Sequence, residues 1–225
     1  MSGVEPGRWL VIFDCDGVLV DSERLNVRTW VRMMRDAGVD FSERQAVETF
    51  VGRAYRDNRV TLSELTGAVP DPEWEKAWRA EFVRSQEELE PITGIDEAVD
   101  AVRDLGHDVC VASGSLLSAI DTKLGRTGLA GRFPEETRFS TEQVEHGKPA
   151  PDVFLLAAER MGYPVERCLV VEDSRAGLEA AVAAAMPVVG YSSDMTPDGW
   201  LDAASAVIDD MADLPSVVSR LTHVA

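Results

Sequence analysis

Apolar residues occupy Trp9 to Phe13 without a break, a short run that reads as a buried strand. Residues 22–90 carry no comparable run, and their apolar positions recur at helical spacing. Ser22 is placed to cap a first helix that Gly38 stops after Ala37, and Ser42-x-x-Gln45 has the spacing of a capping box. A third helix is predicted over about Ala54–Leu65, ahead of Gly67. A fourth opens at Pro70-Asp71-Pro72 and runs through Trp74, Trp78 and Phe82 towards Leu89.

From Ile95 onward helical and strand patterns alternate. Strands are predicted at Asp108–Ala112, Arg167–Glu172 and Pro187–Gly190, with a less marked one at Ala206–Ile208, and an alanine-rich helix spans 176–185. Alternation of this kind favours a parallel sheet covered by helices, an α/β Rossmann-like core. The all-helical block then reads as an insertion after the first strand. The predicted division is 1–20 and 92–225 for the core and 21–91 for the insertion, with hinges near Val20–Ser22 and Pro91–Gly94.

Composition narrows the function. The 225 residues are 45% hydrophobic and 28% charged, an ordinary globular balance. A net charge of −18 argues against nucleic acid or an anionic membrane as partner. Cys15, Cys110 and Cys168 lie in or beside apolar strand segments and read as core residues; no Cys/His cluster suggests zinc. No segment approaches the ~20 apolar residues of a membrane span, and the acidic motif by residue 14 leaves no room for a signal peptide. A cytoplasmic monomer is the default expectation.

The chemistry gathers at the predicted strand ends. Asp14-Cys15-Asp16-Gly17 follows the first strand, so alternation can put both aspartates on one face with Cys15 opposed. Carboxylates this close repel unless a cation lies between them or one keeps its proton, which suggests a metal site, an acid/base pair, or both. Ser113-Gly114-Ser115 ends a second strand, Glu172-Asp173-Ser174 ends another, and Lys148 precedes Pro149-Ala150-Pro151-Asp152 at a helix start. In an open parallel sheet these ends converge on one crevice. Acids for a divalent cation, with a lysine and hydroxyls for an anion, make a phosphate-handling site.

These four segments, in this order, resemble the motifs of haloacid dehalogenase-superfamily phosphohydrolases, over about Leu10 to Tyr191. The branch of β-phosphoglucomutase and the small sugar-phosphate phosphatases is the most similar. The resemblance implies that Asp14 is the nucleophile, forming an aspartyl-phosphate, and that Asp16 is the acid/base. It implies phosphate binding by Ser113, Gly114 and Lys148. It also implies Mg²⁺ held by Asp14, the Asp16 carbonyl and Asp173, with Glu172 either on the ion or behind it. The inserted helices would be a cap closing over the site. Asn26, Gly52, Arg53 and Arg56 are candidates to contact substrate there, although the residues after Gly52 match the family poorly.

The expected activity is Mg²⁺-dependent hydrolysis of a sugar or sugar-acid phosphate. Asp16 distinguishes the chain from dehalogenases and phosphonoacetaldehyde hydrolases, and Asn26 stands where related mutases carry a cap histidine. A phosphosugar mutase is the first alternative; a phospho-aspartate receiver or an inert binding relative is another. Receivers are shorter and lack both the insertion and an acid at the place of Asp16. Lys76 and Lys123 read as solvated, and Trp74 and Trp78 as a packed helix face. No role is assigned to His107, His146 or His223.

Overall fold

The computed structural model describes residues 7–51 and 55–223, the side chains of 55–57 excepted. Six strands, β1 (Leu10–Phe13), β2 (Asp108–Ser113), β3 (Arg138–Ser140), β4 (Cys168–Glu172), β5 (Val188–Tyr191) and β6 (Ala206–Ile208), form one parallel sheet in the order β3-β2-β1-β4-β5-β6. The apolar runs predicted the central strands because parallel strands covered on both faces bury every side chain. Val11, Phe13, Val109, Val111, Leu169 and Val171 enter one apolar core, while Leu10, Ile12, Cys110, Ala112, Cys168 and Val170 enter the other. Helices α5 (Ile95–Asp104), α6 (Leu117–Arg126) and α9 (Leu214–His223) cover the first face, and α7 (Asp152–Met161) and α8 (Arg175–Ala183) the second. All three cysteines are free and buried, as their positions implied.

β3 was not anticipated. Its three residues, Arg-Phe-Ser, contain one apolar side chain, too few to show a period. Arg138 is nonetheless buried there, because its guanidinium reaches Asp121 (2.6 Å) and the Phe133 carbonyl (2.7 Å).

Between β1 and α5 lie α1 (Ser22–Asp36), α2 (Glu43–Phe50), α3 (Tyr55–Thr66) and α4 (Pro72–Ser85). The Ser42–Gln45 capping box forms, and Asp71 caps α4 with Pro72 in its first turn. A short 3₁₀ turn over Gln86–Glu88 replaces the expected continuation of α4 towards Leu89. These helices enclose their own apolar cluster, in which Trp30 stacks on Phe50 (4.3 Å between centroids). Trp74 and Trp78 share a face against this cluster, and both indole N–H groups donate to Asp36 (2.6 and 3.3 Å). That arrangement is packing. Ser22 does not cap α1: Asp21 holds the cap position without a side-chain bond, and the Ser22 hydroxyl is committed to Asp16.

The insertion joins the sheet layer through two adjacent segments. The Asp21 N–H donates to the Glu90 carbonyl and the Ile92 N–H to the Leu19 carbonyl, both at 3.0 Å. A third tie comes from the loop after β5, where Asp194 accepts a bidentate bond from Arg24 (2.7 and 2.9 Å) and Met195 enters the helical cluster.

Candidate active site

The chain runs from β1 to β2 and β3 on one side, then crosses back to β4 beside β1. The carboxyl ends of β1 and β4 flank this reversal, where open sheets form a crevice. Asp14 follows β1 directly, and its N–H extends the ladder to the Val171 carbonyl (3.0 Å). Glu172 ends β4 and Asp173 follows it. Gly17 turns the chain away with φ +80°, and a Cβ there would overlap the Asp173 carboxylate. Asp173 therefore packs directly on the turn that carries the Asp16 carbonyl.

Lys148 Nζ binds Asp14 Oδ1 at 2.5 Å and Glu172 Oε1 at 2.8 Å, and lies 4.7 Å from the centre of the Phe154 ring. The Glu172 side chain is wholly buried and also accepts the Ser174 N–H at 2.7 Å. It fits only because residue 177 is glycine, since a Cβ there would overlap its carboxylate. Burial lifts the Asp14 carboxyl to about 7; Glu172 and Asp16 add to the rise and Lys148 opposes it. Burial and repulsion from Glu172 and Asp14 push Asp173 well above the usual carboxylate range. For Lys148, burial works against the charge, but Asp14 and Glu172 outweigh it and hold the ammonium charged.

Asp16 has different surroundings. Its Oδ1 accepts from Ser22 (2.5 Å) and Lys123 (2.5 Å), and its Oδ2 from Ser115 (2.8 Å) and Lys123 (2.7 Å). Burial alone would raise this carboxyl, yet Lys123 and the two hydroxyls bring it below its ordinary value. Lys123 is thus not a solvated surface charge. Helix α6 carries it inward beside Ile120 and Leu124, and its side chain is 14% exposed.

These groups line one cavity of about 420 Å³. Asp14, Asp16, Ser113, Gly114, Lys148, Glu172, Asp173 and Asn26 all face it, so every described candidate from the sequence is brought together. Gly52, Arg53 and the Arg56 side chain lie outside the described residues. Glu23, Val51, Met195 and Trp200 also line it. Burial, with Asp16 nearby, pushes Glu23 up to about 7, opposed by Lys123 and a hydrogen bond from Asn26.

The donor set suits a hard cation. The buried Asp14 and half-buried Asp173 carboxyls are raised by burial first and then by repulsion from neighbouring acids, a strain that a cation would relieve, and the donors they offer are oxygens. Among the described residues, no three acid, histidine or cysteine side chains close around one point. Mg²⁺ does not need such a cage, since it commonly takes one or two carboxylates and completes its shell with water and substrate oxygens. Glu172, committed to Lys148 and Ser174, is better placed to fix the lysine than to bind an ion.

A family model for haloacid dehalogenase-like hydrolases matches residues 10–185. The chain belongs to that family. This haloacid dehalogenase-like hydrolase is 31% identical over 186 residues to 6-phosphogluconate phosphatase of Escherichia coli, covering 82% of each chain. It is 32% identical over 183 residues to the E. coli fructose-1-phosphate phosphatase YqaB, covering 80% of this chain and 94% of that one. A family hydrolase from Deinococcus radiodurans, solved with bound phosphate and sodium, superposes with a TM-score of 0.85 at 27% identity. The match covers 96% of this chain and 97% of that one. Among the described residues no helix is long and apolar enough to cross a membrane.

The hydrolase's site holds residues that the sequence did not reveal. Lys123 follows Ser115 by eight residues, about two helical turns, and shares a helix face with the apolar Ile120. A lysine on the buried face of the helix after a hydroxyl-bearing strand end was the available signal. Met195 and Trp200 arrive on the loop between β5 and β6, and no local pattern marks them.

Proposed function

We propose that the chain is a Mg²⁺-dependent phosphatase acting on a small sugar or sugar-acid phosphate through an aspartyl-phosphate at Asp14. The observation carrying this reading is the Lys148 ammonium bound to both Asp14 and Glu172 at the head of the cavity, with Asp16 held separately by its own donors. Asp14 and Asp173, with the Asp16 carbonyl, would hold the ion, which when bound neutralises charge on the acids and the phosphoryl oxygens. Lys148, Ser113 and the backbone at Gly114 offer donors to those oxygens. Asp14 attacks phosphorus as the bond from phosphorus to the ester oxygen breaks, and Asp16, once it has taken up a proton against the pull of Lys123, passes that proton to the departing ester oxygen. Water then attacks the phosphoryl group on Asp14 and passes a proton to Asp16.

The names of the two E. coli relatives favour a sugar or sugar-acid ester, and a cavity of about 420 Å³ has room for one. Residues 21–91 would close the site from above. Asn26 offers an amide with no proton to exchange near neutral pH, which favours release of phosphate over its return to another hydroxyl. Measuring phosphate release from 6-phosphogluconate, fructose 1-phosphate and other sugar phosphates, with Mg²⁺ and with chelator, tests the reading. Mg²⁺-dependent release from at least one ester is expected; none from any ester would overturn it.

A further inference from the structure

Asp16 meets four hydrogen bonds, and Lys123 makes two of them. The ammonium touches Oδ1 and Oδ2 (2.5 and 2.7 Å), and its third bond goes to Ser115 Oγ (2.9 Å). Ser115 in turn donates to Asp16 Oδ2, so lysine, serine and carboxylate form a closed triangle. A carboxylate that is merely buried needs its lone pairs satisfied, but it does not need both oxygens gripped by one cation. Of the three partners of Asp16, Lys123 on α6 and Ser115 on the turn after β2 stand on the sheet layer, and Ser22 opens α1. Lys123 is itself fixed, because Ile120 and Leu124 on its helix are fully buried.

We propose that Lys123 is a positioning residue that acts on the reaction through Asp16. This inference rests on the phosphatase reading above. The step on which it bears most directly is breakdown of the aspartyl-phosphate. There the water oxygen bonds to phosphorus as the bond from phosphorus to the Asp14 oxygen breaks. The electron pair returns to the Asp14 carboxylate, and the water proton passes to Asp16. Without Lys123 the carboxylate keeps only one serine hydroxyl on each oxygen, a looser hold on the alignment that this transfer requires. Lys148 meets a different pair of acids, so the two lysines divide the site between them: Lys148 serves Asp14, and Lys123 serves Asp16.

An aryl ester separates this role from simple support of the fold. The p-nitrophenolate leaving group needs no proton, so kcat/KM for p-nitrophenyl phosphate bypasses Asp16, whereas kcat contains breakdown of the intermediate. With saturating Mg²⁺, Lys123→Met should lower kcat by at least about tenfold while kcat/KM stays within about threefold, and an initial burst of p-nitrophenolate should appear. For a sugar phosphate, whose alkoxide must be protonated, both parameters should fall. Lys123→Arg, which keeps the charge and two donors, should lose less than about threefold in kcat. Equal losses in kcat and kcat/KM on the aryl ester would mark a structural role and overturn the inference. So would no change in Lys123→Met, or an arginine variant no better than methionine. A wild-type enzyme releasing phosphate from neither ester would overturn the phosphatase reading itself, and this inference with it.

Discussion

Replacing Gly177 by alanine should destabilise the protein, although helix propensity favours the change. Gly177 is the third residue of α8, and its N–H donates to the cap hydroxyl of Ser174 at 3.0 Å. Within a helix, alanine is better than glycine by about 1 kcal/mol. The added Cβ, however, would overlap both carboxylate oxygens of Glu172. Glu172 has no exposed surface on which to relocate, and moving it breaks its bonds to Lys148 (2.8 Å) and the Ser174 N–H (2.7 Å). Separating one partner from a buried ion pair costs about 3–5 kcal/mol. Less the propensity gain, the net loss is about 2–4 kcal/mol, or a fall in Tm of roughly 5–15 °C for a chain of this size. Thermal melts of the metal-free protein would measure it. Gly125→Ala is the control: it lies in α6 with open space where its Cβ would go, and should leave stability unchanged or slightly higher. A Gly177→Ala protein as stable as wild type would refute the close approach of Glu172 and the reason given for the glycine.

Chelation should abolish turnover and added Mg²⁺ restore it, while Asp173→Ala should raise the Mg²⁺ concentration required; full activity in chelator would contradict the role of the acids. Without metal, stability should fall as pH rises. Asp14 titrates at about 7 in the folded chain against 3.8 ordinarily, so its contribution is full below the lower value and is lost as pH climbs through the higher; Asp173 shifts in the same direction. Melting between about pH 5 and pH 8 should show this decline, and Asp14→Asn should flatten it. Phosphorus NMR of β-glucose 1-phosphate should show inorganic phosphate if the ester is accepted; faster accumulation of glucose 6-phosphate would favour a mutase.

The sheet was legible where burial on both faces wrote continuous apolar runs, as at Leu10–Phe13 and Cys168–Glu172. It was not legible at β3, where three residues bury an arginine by pairing it with a carboxylate distant in sequence. The aspartates and Ser113 could be read because a parallel sheet brings its strand ends to one crevice, so position along the chain implies position in the site, whereas Lys148, in the loop between β3 and α7, was legible through the family resemblance. Side chains that reach the site from a helix face or a long loop carry no such rule. Lys123 is 107 residues from the aspartate it binds, and Met195 and Trp200 come from a loop whose path tertiary packing decides. Ser22 had the right type and place for a helix cap, but a nearby carboxylate offered a stronger acceptor for its hydroxyl.

The central claim is that Asp14 carries the phosphoryl group during turnover. Rapid acid quench of enzyme, Mg²⁺ and an accepted phosphate ester, followed by peptide mass spectrometry, tests it directly. A phosphoryl-sized mass increase should map to Asp14, be cleaved by hydroxylamine, and be absent from Asp14→Asn, which should lose at least about a thousandfold in activity. Turnover by Asp14→Asn within about tenfold of wild type, or a phosphoryl group on another residue, would contradict the account.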